Sequence, residues 1–123
     1  MTSLHNVLIV EDEPLISMML EDVLDALGHR VVGICETVSE ALVRIEEGGF
    51  DLAILDVNLK GDHVWPVADR IRELGIRLII ATGGHVDAPP AVHANAPQLS
   101  KPYALDAVPR VIEEAMAPVL SAG

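Results

Sequence analysis

The stretch that most constrains this chain is Phe50-Asp51-Leu52-Ala53-Ile54-Leu55-Asp56-Val57-Asn58-Leu59. Leu52 to Leu55 is apolar at every position, with none of the polar alternation of a strand that faces water on one side. Such a run predicts a strand covered on both faces, as inside a parallel sheet flanked by helices. It ends in a carboxylate, Asp56. In open α/β sheets ligands bind outside the carboxyl ends of the strands, where strand order reverses. Asp56 is therefore the candidate reactive group, and the other segments are read by what they bring to it.

Val7-Leu8-Ile9-Val10 is a first buried strand, ending in Glu11-Asp12-Glu13. Pro14 suits the first turn of a helix, where its missing N–H is no loss. Ile16, Met19, Leu20, Val23, Leu24 and Leu27 recur at helical spacing as its inward face, and Gly28 closes it. Arg30 to Ile34 is a short second strand. Thr37-Val38-Ser39-Glu40 matches a capping box, Ala41, Leu42 and Ile45 form a buried face, and Gly48-Gly49 stops the second helix. After the central strand, Lys60-Gly61-Asp62 turns into a third helix with Val64, Val67, Ala68, Ile71 and Leu74 inward. Pro66 fits only its first turn, which makes Asp62 the expected cap. Leu78-Ile79-Ile80-Ala81 is a fourth strand, ending in Thr82-Gly83-Gly84. The paired prolines 89 and 90 allow at most a short helix between His85 and Pro97. A fifth strand near Gln98-Leu99-Ser100 leads to Lys101-Pro102, and a last helix runs from about Asp106 through Met116 with Pro109 in its first turn.

Strands and helices thus alternate as (βα)5, which implies a doubly wound, five-stranded parallel sheet with right-handed crossovers. The expected strand order is 2-1-3-4-5, flavodoxin-like, with the ends of the first and third strands adjacent at the switch point. At 123 residues the chain reads as a single domain over 1–123 with nothing left for an output domain. No apolar run approaches the ~20 residues needed to cross a bilayer, and the first residues lack a signal-peptide pattern, so a cytoplasmic location is expected. A formal net charge of −11 and three aromatics other than histidine (Phe50, Trp65, Tyr103) speak against a nucleic acid partner.

The predicted topology brings Glu11, Asp12 and Asp56 together. Three carboxylates in one pocket repel, so the arrangement needs a cation or a proton to hold it. A hard divalent ion suits all-oxygen ligands, and Mg2+ takes one or two carboxylates while keeping waters for a phosphate partner. Lys101 at the tip of the fifth strand adds a positive charge, and Thr82 at the tip of the fourth adds a hydroxyl. Together they would neutralise an incoming phosphoryl group, which is most of what phosphoryl transfer asks of a protein. Asp56 would be the attacking carboxylate.

Ile9-Val10-Glu11-Asp12-Glu13, Leu55-Asp56-Val57-Asn58-Leu59, Ala81-Thr82-Gly83 and Ser100-Lys101-Pro102-Tyr103 resemble, in order, the four signature regions of the receiver domain of two-component response regulators. The resemblance implies that Asp56 accepts phosphate from the phosphohistidine of a sensor histidine kinase or phosphotransfer protein. It further implies that Asp12 ligates Mg2+ directly, Glu11 through water and Asn58 through its backbone carbonyl. Thr82 and Lys101 match the pair that senses the phosphoryl group, ahead of a Lys101–Pro102 bond that is cis in the family. The implied partner face is the segment after Thr82, the fifth strand and the last helix. The implied role is that of a stand-alone phosphoacceptor rather than an enzyme, acting by phosphorylation-dependent binding of a downstream protein or as a phosphate sink.

Three positions depart from that pattern. Gln98 stands where many receivers carry an aromatic switch, Lys60 stands where a proline commonly follows, and the proline-broken segment 85–97 replaces an ordinary fourth helix. Ile80-Ala81-Thr82-Gly83-Gly84-His85 with Lys101-Pro102-Tyr103 is similar to the single-domain receivers nicknamed FATGUY, although Ile80 and His85 replace aromatics there. Motion of the Gly83-Gly84 loop is the expected substitute for the aromatic relay. One rival is a pseudo-receiver that binds partners without a phosphate switch. Another is an aspartyl-phosphate hydrolase of the haloacid-dehalogenase type, which would want an acid where Asn58 stands.

The remaining residues read structurally. Cys35 follows a strand-like run and is expected to be buried and inert. His63, His85 and His93 match no metal-ligand spacing and are expected to be solvated loop residues. Trp65 is expected to pack at the start of the third helix.

Overall fold

The computed structural model describes residues 4–82, 90–93, 96–100 and 107–117. In chain order the elements are β1 (Asn6–Val10), α1 (Pro14–Ala26), β2 (Arg30–Cys35), α2 (Val38–Glu47), β3 (Leu52–Asp56), β4 (Asn58–Leu59), β5 (Asp62–His63), α3 (Trp65–Glu73), β6 (Arg77–Thr82), a 3-10 turn (Ala91–His93), β7 (Gln98–Ser100) and α4 (Val108–Met116). Five strands form one parallel sheet in the order β2-β1-β3-β6-β7. With β6 and β7 as its fourth and fifth strands, this is the predicted 2-1-3-4-5 order.

Every residue of β3 is buried, and the two faces of the sheet separate by strict alternation. Leu8, Val10, Ala53, Leu55 and Ile80 pack with Ala41 and Ile45 of α2 and with Val67, Ala68 and Ile71 of α3. Val7, Ile9, Leu52, Ile54 and Ile79 pack with Leu20 and Leu24 of α1 and with Val111 and Ile112 of α4. An apolar residue at every strand position is thus what a helix layer on each face demands.

Helix ends follow local chemistry. Pro14 opens α1 and Pro109 lies in the first turn of α4. Thr37 caps α2, its hydroxyl accepting the Glu40 N–H at 3.1 Å. The reciprocal half of the expected box is displaced by one residue, since Glu40 receives the N–H of Glu36, at 3.4 Å.

Four local expectations are corrected. Lys60-Gly61-Asp62 does not lead directly into a helix. It closes a short antiparallel hairpin in which Asn58 pairs with His63 and Leu59 with Asp62. Asp62 is consequently a strand residue, and α3 begins at Trp65 without a side-chain cap. Met19 and Leu74 are exposed at 40% and 41%, not inward. Leu20 and Leu24 fill the buried stripe of α1, which leaves Met19 one position off it together with exposed Leu15 and Met18. Leu74 caps the end of α3, just before the chain turns at Gly75 into β6.

Between β6 and β7 the helical structure among the described residues is the 3-10 turn Ala91–His93, in agreement with the limit set by the prolines. The described chain therefore has four α-helices around a five-stranded sheet. None of them is long and apolar enough to cross a membrane.

Candidate functional site

The tips of β1 and β3 lie side by side because the two strands pair in parallel register, Val10 opposite Leu55. Glu11 continues β1 by one ladder bond, donating its N–H to the Cys35 carbonyl at 2.9 Å. Its side chain folds back to accept the Glu13 N–H at 3.1 Å, and the residue is only 2% exposed. Asp12 is half-buried and accepts the Lys60 N–H at 3.0 Å. Asp56 is 7% exposed, and its carboxylate receives the Asn58 N–H at a long 3.5 Å.

Glu11, Asp12 and Asp56 each present a carboxylate oxygen, and these atoms all lie within 4.8 Å of one another. Two of the three residues are buried, so water screens their repulsion poorly. An all-oxygen, multiply anionic donor set of this size fits a hard divalent cation of the Mg2+ class. The expected acidic constellation is thus assembled.

Thr82 is the last residue of β6, one step beyond Ala81, which pairs with Asp56 across the sheet. Thr82 thus stands at the strand tip next to that of Asp56, where the strand order places it. Asn58 is the first residue of the hairpin, two positions after Asp56. Lys101, Pro102 and Tyr103 lie outside the described residues, as do Gly83, Gly84 and His85. The expectations for the lysine, its cis bond and the glycine loop therefore have no counterpart in the described geometry. Gln98, in the place of the aromatic switch, is exposed on β7.

The frame behind the site is tied by backbone bonds. Val57 donates to Ala81 O at 3.2 Å and Val64 donates to Val57 O at 2.9 Å. The residue after Asp56 is thereby linked both to β6 and to the start of α3.

One expected surface residue is not on the surface. His93 has no exposed area; its Nε2–H donates to Asp69 Oδ1 at 2.7 Å, and its ring stacks on Trp65 with centroids 5.6 Å apart and planes at 14°. The 3-10 turn is thereby pinned to α3. His93 lies in an alanine- and proline-rich stretch without periodicity, 24 or more residues from these partners, so no local signal marks it as buried. Trp65 does pack at the start of α3 as expected, and His63 is exposed as expected, although on β5 of the hairpin rather than in a loop.

A second group sequence reading missed lies at the opposite ends of the strands. His5 contacts Asp51 through Nδ1 at 2.7 Å and donates its backbone N–H to His29 Nδ1 at 3.0 Å, and the two imidazoles stack at 5.3 Å. Burial, followed by the neighbouring His5, pushes the His29 imidazole below its usual range, and Asp51 partly opposes the shift. Cys35 is buried as expected, and that burial, reinforced by Glu40, raises its thiol above the ordinary value. A raised thiol is a poor nucleophile at neutral pH.

Comparison with known proteins agrees with the geometry. The family model of the response regulator receiver domain matches residues 7–113. The solution structure of SdrG from Sphingomonas melonis Fr1 is 46% identical, covers 91% of this chain and 96% of that one, and superposes with a TM-score of 0.81. Its BeF3-activated conformation has a TM-score of 0.76 at the same identity and coverage. The PhyR response regulator REC domain of Erythrobacter litoralis is 29% identical over 92% of this chain and 90% of its own, with a TM-score of 0.77. Among curated sequences, the phyllosphere-induced regulator PhyR of Methylorubrum extorquens AM1 is 43% identical over 54 residues, 43% of this chain. The chain spans only 20% of that curated relative's length.

Proposed function

The chain belongs to the response regulator receiver domain family, and on that premise we propose that it is a phosphorylation-dependent signalling switch with Asp56 as phosphoacceptor. The observation that carries the proposal is the acidic triplet: the carboxylates of Glu11, Asp12 and Asp56 within 4.8 Å at two adjacent strand tips. A relative at 46% identity that adopts a BeF3-activated conformation supports the same reading.

In this reading Glu11, Asp12, Asp56 and the Asn58 carbonyl hold Mg2+. The ion would neutralise charge on the phosphoryl oxygens and leave room for their approach. A carboxylate oxygen of Asp56 attacks phosphorus, the phosphorus–nitrogen bond of the donor phosphohistidine breaks, and the imidazole leaves with the electron pair and takes up a proton. Asp56 is left as an acyl phosphate. The Asn58 N–H, already aimed at the carboxylate, steadies it, while Thr82 and Lys101 meet the transferred group. The protein acts as an acceptor rather than as an enzyme on small molecules, and as a switch or phosphate sink in the cytoplasm.

The donor is a histidine kinase or phosphotransfer protein. Exposed Leu15, Met18 and Met19 begin directly after the acidic cluster and offer it an apolar footing. A downstream protein reads the face of β7, α4 and the segment after Thr82.

Incubation with a small acyl-phosphate donor and Mg2+ tests the proposal by intact mass. Gain of one phosphoryl group, lost in Asp56→Asn and without the metal, is expected; an unchanged mass of the folded wild type overturns it.

A pseudo-receiver without a phosphate switch is the second reading, favoured by exposed Gln98 in place of an aromatic relay. It predicts no rise in melting temperature with Mg2+ and beryllofluoride, whereas ligand linkage requires one if the site binds.

A further inference from the structure

We propose that the backbone N–H of Lys60, presented by the strained turn of the β4–β5 hairpin, is a positioning group that orients Asp12 for the metal. The inference rests on the reading of Glu11, Asp12 and Asp56 as a Mg2+ site, and concerns a residue that the site itself does not include.

Lys60 is the one non-glycine residue at positive φ among the described residues, at 48°, and Gly61 follows at 90°. Two successive left-handed residues close the two-residue loop of an antiparallel hairpin, as in a type I′ turn. A lysine gains nothing locally from that conformation, because its Cβ crowds the backbone there. Strain of this kind persists where surrounding structure over-determines it. Here Leu59 is buried in the core at 1% exposure, and Val64 N–H closes the base of the hairpin on Val57 O. With both ends anchored, the turn directs the Lys60 N–H onto Asp12 Oδ2 at 3.0 Å, across 48 residues of sequence.

Among the described residues this is the hydrogen bond that Asp12 makes. Asp12 is also the least buried of the three clustered carboxylates, so without the bond its side chain would sample several rotamers. Holding one oxygen leaves the carboxylate oriented before the cation arrives, and loss of such outer-shell partners typically lowers metal affinity about 10–100-fold. A proline at this position has neither the N–H nor access to positive φ, so it could not supply the contact.

The test uses the full chain labelled with 15N. Mg2+ titrations followed by amide shifts compare wild type, Lys60→Gly and Lys60→Pro. Lys60→Gly keeps the N–H and relieves the turn, and should bind within about twofold of wild type; Lys60→Pro should bind about tenfold more weakly or worse. Hydrogen exchange supplies an arm that does not depend on how the proline variant folds. The Lys60 amide should be protected in wild type and exposed in Asp12→Ala, while the Val64 amide stays protected in both. Wild-type affinity in Lys60→Pro, or a Lys60 amide that exchanges equally fast in wild type and Asp12→Ala, overturns the proposal. A wild type that binds no Mg2+ sinks the metal-site reading instead, and the exchange arm still decides whether Lys60 holds Asp12.

Discussion

His93 Nε2 lies 2.7 Å from Asp69 Oδ1, and the histidine has no exposed surface although the aspartate side chain is 60% exposed. The contact joins the 3-10 turn after β6 to the outer face of α3. α3 starts at Trp65, the residue on which His93 stacks, and Val64 just before it is bonded to the residue after Asp56. The turn therefore sits at the end of a short chain of contacts from the acidic cluster.

His93→Ala removes a buried ring, its stack and its hydrogen bond to a carboxylate. A loss of about 2–3 kcal/mol is expected, below the cost of a large apolar core truncation because Asp69 is recovered by water. Denaturant unfolding of His93→Ala, Asp69→Ala and the double variant should give a coupling of about 0.5–1.5 kcal/mol between the two residues. Strict additivity would show that the pair is a neighbourly contact without energy of its own.

Asp56→Asn should melt higher than wild type when no divalent ion is present, since one of three mutually repelling carboxylates is neutralised. Mg2+ should reverse the order by stabilising wild type more. At a hundred times the dissociation constant the linkage gain is about 2.7 kcal/mol. Scanning calorimetry with and without Mg2+ reads both effects.

Stability should fall on the acid side through His29. Its folded pKa is lowered from 6.5 by burial and by His5, so below that value the unfolded chain binds a proton that the native state resists. Stability contributed by neutral His29 is complete above about pH 7.5 and is lost as pH drops through 6.5 toward the folded pKa. Urea unfolding at intervals from about pH 8 to pH 5 should show a shallower decline for His29→Gln than for wild type.

Neighbouring positions on α1 should respond oppositely. Leu20 is 1% exposed and Met19 40%. Leu20→Ala should cost about 2–5 kcal/mol through the cavity it leaves, whereas Met19→Lys should stay within about 0.5 kcal/mol. Equal losses at both sites would place Met19 in the core.

The run Leu52–Leu55 made the buried strand, and thereby the two-faced sheet, legible without coordinates, because a parallel strand covered on both sides has no polar position to vary. Glu11, Asp12 and Asp56 were legible for a related reason: a topology of alternating strands and helices dictates which strand tips are neighbours. Met19 and Leu74 misled because apolar residues at helical spacing fit more than one rotation of a helix, and packing against the sheet selects among them. The Lys60-Gly61 turn was visible, but its hairpin depends on Leu59 being drawn into the core.

Chemical character and strand order, then, were written in the amino acids, because periodicity and the handedness of parallel crossovers act through the local chain. The burial of His93 against Trp65 and Asp69, the His5–His29–Asp51 group and the bond from Lys60 to Asp12 were settled only by the folded chain. Each joins residues 24 to 48 positions apart. No local preference encodes such a pair, and its geometry exists only after the sheet has set the distance between the segments that carry it.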